Sequence, residues 1–217
     1  MRRARVVTAV SESTRRELEK YVGIGRGVVR VIPNCVRQEF AQSPKGFNEV
    51  EPVVLQVGTG WNKNVERVAE ALSGLRCRWV LIGEVSQPLR GVLDASGVPW
   101  RHIPRATDQQ VLQAYRDSDV VVFASLYEGF GLPIIEAQAT GRPVVTSDRL
   151  SMPEVAGGAA LLVDPLDVSA IRAAVVRVFW DRVLRRDLVE AGLENVKRFE
   201  AARVAEAYAQ IYREVAR

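Results

Sequence analysis

Short apolar runs alternate with amphipathic segments along most of this chain. After Pro52, runs rich in valine, isoleucine and leucine recur, and several are followed by apolar residues at helical spacing. That alternation is typical of a parallel sheet covered by helices on both faces. It predicts strands at 53–57 and 79–82 and strands near Ile103, Val120, Val144 and Leu161. It also predicts helices at 65–72, from a cap at Thr107 or Asp108 to about Asp117, and from Pro133.

The start of the chain has a separate pattern. Residues from Arg5 to about Ile32 predict a strand, a helix capped at Ser11 and a second strand. The following stretch 42–46, Gln-Ser-Pro-Lys-Gly, has no periodicity and is typical of a linker. The pattern as a whole therefore predicts an α/β protein with a doubly wound parallel sheet, preceded by a smaller unit.

Composition narrows the class of protein. The 217 residues are 47% hydrophobic and 26% charged, which suffices for one substantial core. No apolar run approaches the roughly 18 residues of a membrane span, and we expect a cytoplasmic protein. Cys35 and Cys77 are too few for a disulfide framework or a metal site, so they are expected to be free thiols.

The basic residues do not form an obvious binding surface. The net charge is +4, but the basic residues are scattered along the chain, so we expect no nucleic-acid partner. The cluster of Arg182, Arg185 and Arg186 is interpreted as a solvated helix face.

The segment between Glu128 and Glu136 carries the strongest chemical signal. It follows the apolar strand near Val120, so Glu128 is expected at the carboxyl end of that strand. Pro133 suits the first position of a helix, and the free amides before it form a site for phosphate. Glu136 lies one turn further along, where its carboxylate could reach a ribose attached to that phosphate. The amides belong to Phe130, Gly131 and Leu132.

The spacing of the two glutamates resembles a known motif. Seven residues separate them, and Tyr-Glu-Gly-Phe-Gly-Leu-Pro-Ile-Ile-Glu-Ala closely resembles the donor-site motif of retaining glycosyltransferases of family 4. The resemblance implies the two-domain GT-B fold, in which a Rossmann-like acceptor domain precedes a donor domain. It continues through residues 7–13, 31–34, 139–147, 152–157 and 159–165.

This resemblance divides the chain into four parts. Residues 1–41 correspond to a remnant of the acceptor domain, 42–51 to a linker, 52–199 to the nucleotide-sugar donor domain and 200–217 to a C-terminal helix packing toward the acceptor domain. Whether the chain is an excised piece or a short natural product stays open. We expect it to be inactive by itself.

The resemblance also assigns roles to individual residues. Lys63 would contact the donor diphosphate and Glu128 would lie beside the sugar, and these two are the expected catalytic residues. Glu136 would accept hydrogen bonds from the ribose hydroxyls. Gly58, Thr59, the amides of residues 130–132 and, near the base, Arg105 would complete the donor site.

Two positions depart from the family pattern. Thr59 and Asn62 stand where many members have arginine. Phosphate binding would then be weaker, or another arginine would compensate.

The implied partners are a UDP- or GDP-sugar and a carbohydrate or lipid-linked acceptor. The predicted C-terminal helix could also support a homodimer, because its apolar stripe would lie bare without the acceptor domain; a peripheral membrane contact of a longer protein is a further option. The stripe comprises Val204, Tyr208, Ile211, Tyr212 and Val215.

We expect no cofactor and no catalytic metal. Asp117-Ser118-Asp119 resembles a manganese-binding motif, but it lies between a helix and a strand, on the amino edge of the sheet. His102 has no catalytic partner that the sequence identifies.

Two rival functions share features with this sequence. A nicotinamide-dependent dehydrogenase or epimerase is disfavoured, because Gly-Thr-Gly-Trp-Asn-Lys after the first strand is not Gly-x-Gly-x-x-Gly. A non-catalytic module that binds a nucleotide sugar or a protein partner stays open.

Overall fold

A computed structural model describes residues 4–25 and 27–216. Residues 1–3 and 217, at the outer ends of the first and last predicted parts, lie outside the described residues, as does residue 26. The described chain forms a two-stranded parallel sheet, β1-β2, and a six-stranded parallel sheet in the order β5-β4-β3-β6-β7-β8. The strands are β1 Val7–Ala9, β2 Val29–Val31, β3 Val53–Val57, β4 Arg78–Ile82, β5 Trp100–Ile103, β6 Val120–Phe123, β7 Val144–Ser147 and β8 Leu161–Val163.

Helices connect these strands and close the chain. A π-helical stretch, Leu18–Val22, extends the first helix, and short 3-10 helices at Trp61–Lys63 and Val196–Phe199 precede two others. The α-helices are α1 Glu12–Glu17, α2 Val65–Leu72, α3 Gln87–Ala95, α4 Asp108–Asp117, α5 Leu132–Ala139, α6 Met152–Ala156, α7 Val168–Trp180, α8 Arg182–Asn195 and α9 Ala201–Val215. None of the described helices is both long and apolar enough to cross a membrane.

The strand order confirms the predicted α/β doubly wound sheet. From β3 the chain adds strands outward on one side, then returns to place β6 on the other side of β3 and adds β7 and β8 beyond it. The order therefore reverses between β3 and β6. In open α/β sheets ligands bind at the carboxyl edge at such a switch point.

Two apolar clusters cover the two faces of the six-stranded sheet. Trp79 and Leu72 belong to one, and Tyr115, Phe123 and Ile134 belong to the other. Alternate residues of the central strands point into opposite clusters: Val54 packs in the first and Leu55 in the second, and both are fully buried. Burial on both faces explains the continuous apolar runs in the sequence.

The helices next to the switch point begin at residues whose side chain or backbone conformation suits a helix cap. Thr107, one of the two caps that the sequence predicts, caps α4 and forms a capping box with Gln110. Helix α5 begins at Leu132, one residue before the predicted Pro133, and its cap is Gly131 with φ of +108°. A side chain would be strained at that φ, so the turn requires glycine.

The solvated face predicted for the arginine cluster is wrong for Arg185. Its guanidinium carbon lies 3.9 Å from the ring centroid of Phe47. It donates hydrogen bonds to the carbonyls of Val178 and Phe179 and pairs with Glu49 at 3.1 Å. Arg185 is buried because Phe47 and Glu49, within the predicted linker 42–51, pack over α8, a contact that helical periodicity cannot reveal.

Candidate functional site

The loops after β3 and β6 meet at the carboxyl edge of the switch point. The Lys63 ammonium lies 2.6 Å from Oε1 of Glu128. The side-chain amide of Asn62 donates a hydrogen bond to the same oxygen at 3.2 Å. The backbone amide of Leu126 donates to the backbone carbonyl of Asn62 at 2.8 Å. The structure thus brings together the two residues that the sequence predicts as catalytic, and Asn62 links their loops.

The Lys63 side chain is held along its whole length. A Cβ at Gly58 would lie 2.7 Å from Cε of Lys63, and Gly58 has φ of +91°. Glycine is therefore needed there, because the lysine stem crosses directly over the backbone. The ammonium lies 4.7 Å from the ring centroid of Phe123, a distance that permits a cation–π contact. Both charged side chains of the pair are mostly buried, with 20% of Lys63 and 15% of Glu128 exposed.

Thr59, the other predicted member of this loop, packs at its edge. Its hydroxyl donates to the Glu84 carbonyl, and its side chain occupies the space that a Cβ at Gly83 would need.

In the turn before α5, the backbone carbonyls accept hydrogen bonds from side chains while the amides of residues 130–132 have no acceptor in the described part of the chain. The hydroxyl of Ser151 lies 2.9 Å from the Glu128 carbonyl and 2.8 Å from that of Phe130. The Gly129 carbonyl accepts from Ser11 at 2.7 Å and from Thr14 at 3.0 Å. No described residue accepts a hydrogen bond from the amides of residues 130–132. This end of α5 therefore presents donors without internal partners, which favours an anion.

Glu136 lies on α5, one turn inside this end. Its Oε2 accepts a hydrogen bond from the buried hydroxyl of Tyr115 at 2.7 Å. Burial raises the pKa of the Glu136 carboxyl, while the Tyr115 hydrogen bond and the charge of Arg37 oppose that rise. Arg37 is itself paired with Asp108 at 2.9 Å. Glu136 is thus a partly buried carboxylate with one fixed donor.

The remaining sequence candidates make other contacts. Arg105 has 92% of its side chain exposed and pairs with Glu84 at 3.2 Å, outside the Lys63–Glu128 cluster. Nδ1 of His102 lies 3.2 Å from the Gly83 carbonyl. The buried carboxylate of Asp119 accepts from the amides of Asn48 and Val53 on the amino edge, where it fixes the start of β3.

Several residues of this region were not identified from the sequence. Tyr115 offered one signal: it falls on the buried face of α4, and a buried tyrosine hydroxyl usually has a partner. Ser11, Thr14 and Ser151 offered none, because their partners at Glu128–Phe130 lie 21 to 118 positions away in sequence.

Comparison with known proteins defines the family. A family model described as "Glycosyl transferases group 1" matches residues 51–181, more than half of the chain. The fold and this match together show that the chain belongs to the glycosyl transferases group 1 family. Its six-stranded unit corresponds to the Rossmann-like domains of GT-B glycosyltransferases.

Individual relatives agree with this assignment. The O-antigen chain mannosyltransferase B of Escherichia coli is 40% identical over 99 residues, covering 46% of this chain and 26% of that protein. Sucrose-phosphate synthase from Thermosynechococcus elongatus superposes with a TM-score of 0.86 at 24% identity, covering 97% of this chain and 58% of that one. Anabaena HepE, solved with UDP and glucose, also gives 0.86, at 17% identity, covering 98% of this chain and 64% of HepE. The chain thus spans only part of each of these proteins, and the two structural matches show a shared fold.

Proposed function

We propose that this chain is the donor-binding half of a retaining glycosyltransferase that uses a UDP- or GDP-activated sugar. The observation that carries the proposal is the 2.6 Å pair of Lys63 and Glu128, which lies next in sequence to amides, those of residues 130–132, that bond to no described residue. A lysine and several free amides can hold a diphosphate, and a carboxylate next to them can contact the sugar.

Each group then has a distinct task. The amides of Phe130, Gly131 and Leu132, with Lys63, bind the diphosphate and stabilise the charge that grows as it departs. Glu136 binds the ribose, and Glu128 holds the sugar or stabilises positive charge at its anomeric carbon. Gly58 and Thr59 shape the diphosphate loop, and Arg105 lies toward the base.

The proposed reaction needs no enzyme nucleophile. The bond between the anomeric carbon and the diphosphate breaks, and the acceptor oxygen bonds to the same face of that carbon. A diphosphate oxygen takes the proton of the acceptor hydroxyl. Anomeric configuration is retained, and we propose that Lys63 and the helix amides supply the positive charge without a metal or another cofactor.

The proposal includes a division of labour along the chain. Residues 52–199 bind the donor, residues 1–41 correspond to the end of an acceptor domain, 42–51 connect the two, and 200–217 return toward the first part. The acceptor would be a carbohydrate or a lipid-linked sugar in polysaccharide synthesis. Mannose is the first donor sugar to test, because a 40% identical relative is named a mannosyltransferase.

Binding of the nucleotide tests the proposal directly. Isothermal titration calorimetry of this chain with UDP and with GDP, in the presence of EDTA, should show saturable binding of at least one of them. Glu136→Ala should weaken that binding by roughly 1 to 3 kcal/mol, the scale of hydrogen bonds to a charged group. Binding that requires added manganese, or no binding of either nucleotide, would contradict the proposal.

A further inference from the structure

Tyr115 is fixed at both its backbone and its ring. The residue is fully buried, and its ring meets Phe40 edge to face with centroids 5.3 Å apart. Its carbonyl accepts hydrogen bonds from Nε of Arg142 at 2.9 Å and from the Ser118 hydroxyl at 2.9 Å. The hydroxyl at the far end of the ring is therefore held at a defined position.

That hydroxyl is directed at a single oxygen. It donates to Oε2 of Glu136 at 2.7 Å, and no other described residue hydrogen-bonds to this carboxylate. The charged neighbours are Arg37, which attracts the carboxylate, and Asp108, which repels it, and these two residues pair with each other. Tyr115 is thus the one fixed donor to Glu136 in the described part of the chain.

We infer that Tyr115 is a positioning residue, whose hydroxyl fixes the Glu136 carboxylate so that Oε1 can accept a hydrogen bond from a ribose hydroxyl of a nucleoside diphosphate. The inference rests on the proposed function and adds Tyr115 to the residues of the proposed donor site. Tyr115 does not touch the nucleotide. It acts by keeping Glu136 ionised and in one orientation, since an unrestrained carboxylate would lose side-chain entropy on binding.

The role of Tyr115 can be tested by measuring how strongly the chain prefers a nucleotide with ribose hydroxyls over one without them. UDP and GDP are each compared with their 2′,3′-dideoxy forms, which lack the hydroxyls that Glu136 would bind. The chain should prefer the ribose form, and Tyr115→Phe should reduce that preference by about tenfold, the scale of one hydrogen bond to a charged group. Affinity for the dideoxy form should be unchanged.

Three variants keep the result interpretable. Tyr21→Phe removes the same atom from a tyrosine that is 73% exposed, and it should leave the preference unaltered. Glu136→Gln should reduce the preference, and adding Tyr115→Phe to it should cause little further loss, because both act through one carboxylate. A Tyr115→Phe variant that loses affinity equally for both nucleotide forms would overturn the inference, since general loosening of the fold has that signature.

A second measurement does not need a ligand. The carboxyl carbon of Glu136, assigned by its absence in Glu136→Gln, is followed by NMR during a pH titration. The Tyr115 hydrogen bond lowers the pKa of Glu136, so Tyr115→Phe should shift the titration to higher pH. An unchanged titration overturns the inference even if a nucleotide binds. Failure of the wild-type chain to bind either nucleotide overturns the proposed function instead.

Discussion

Lys63 and Glu128 neutralise each other, and this pairing determines how each should respond to substitution. Both were expected at the carboxyl edge from their positions after two strands, but their direct contact depends on how the two loops pack. In the unliganded chain, Glu128 holds the ammonium in the crevice while opposing its attraction for an anion.

We predict that Lys63→Met weakens binding of UDP or GDP by roughly 1 to 3 kcal/mol, because methionine keeps the packing over Gly58 but removes the charge. Calorimetry provides the measurement. Lys197→Met is the matched control, since Lys197 is exposed and pairs with Glu194, and not with a residue of the candidate site. Equal effects of the two substitutions would show that Lys63 acts only through net charge.

Glu128→Gln should distinguish the affinity that the nucleotide contributes from the affinity that the sugar contributes. The amide keeps the shape of the side chain but removes the negative charge beside Lys63, so affinity for the free nucleoside diphosphate should not fall. The additional affinity that the sugar contributes should decrease. Comparing the diphosphate with its sugar conjugate by calorimetry tests this prediction, and a large loss of diphosphate affinity would contradict it.

Gly58→Ala should destabilise the fold by about 1 to 3 kcal/mol, because the new Cβ would collide with the Lys63 stem at an unfavourable φ. Gly91→Ala is the control. Gly91 lies in α3, and a Cβ added there would have no atom within 4 Å other than its chain neighbours and the backbone of its own helix, so alanine should stabilise the protein by about 0.5 to 1 kcal/mol. Chemical denaturation of both variants gives the comparison.

At the scale of helices and strands, the sequence predicted those features that depend on a local pattern of residues. Strand β3 was predicted with its observed bounds, and one of the two predicted caps of α4, Thr107, is the observed cap, since apolar runs and capping residues are local signals. The switch point between β3 and β6 was not predicted, because it depends on the order of the strands in the sheet. The predicted site residues Lys63, Glu128 and Glu136 do lie at its carboxyl edge.

Contacts between distant segments were not predictable in this way. Tyr115 and Ser151 touch the candidate site through side chains whose partners lie more than twenty positions away. Arg185 was misassigned to a solvated face for the same reason, because Phe47, which covers it, belongs to another part of the chain.

Arg185→Met should destabilise the protein by roughly 2 to 4 kcal/mol, since it leaves buried carbonyls of α7 without their donor and Glu49 without its partner. Arg186→Met on the same helix should have little effect, because Arg186 is solvent-exposed. Thermal and chemical unfolding measure the difference. Similar losses in both variants would mean that helix propensity or net charge, and not burial, explains the result.

At the scale of the whole molecule, α9 ends beside the N-terminal unit. Arg5 donates to the carbonyl of Val215 at 2.6 Å, and Arg30 lies 3.5 Å from Glu214. Val204 of the predicted apolar stripe is buried against the chain itself, whereas Tyr212 is 71% exposed. The exposed part of the stripe is thus centred on Tyr208 and Tyr212, since Ile211 and Val215 are partly buried.

We predict that the chain self-associates through this part of α9. Light scattering over a range of concentrations should show a dimer, and Tyr212→Ser should shift the equilibrium toward monomer by removing an exposed aromatic side chain. Trp180→Ser, an equally exposed aromatic on α7, should leave the equilibrium unchanged. A chain that stays monomeric at high concentration would refute the prediction.

The anchoring of the segment between the two sheets determines where the molecule can bend. Residues 36–48 are fastened to the six-stranded unit: the Val36 amide bonds to Phe199, Phe40 packs on Tyr115, and Lys45 pairs with Asp119. Any rotation of the two-stranded unit would therefore bend the chain at residues 33–35 and, on the return crossing, near Glu200. Such a rotation would pull Ser11 and Thr14 away from Gly129, so separation of the two units and loosening of the anion-binding turn would be a single mechanical event.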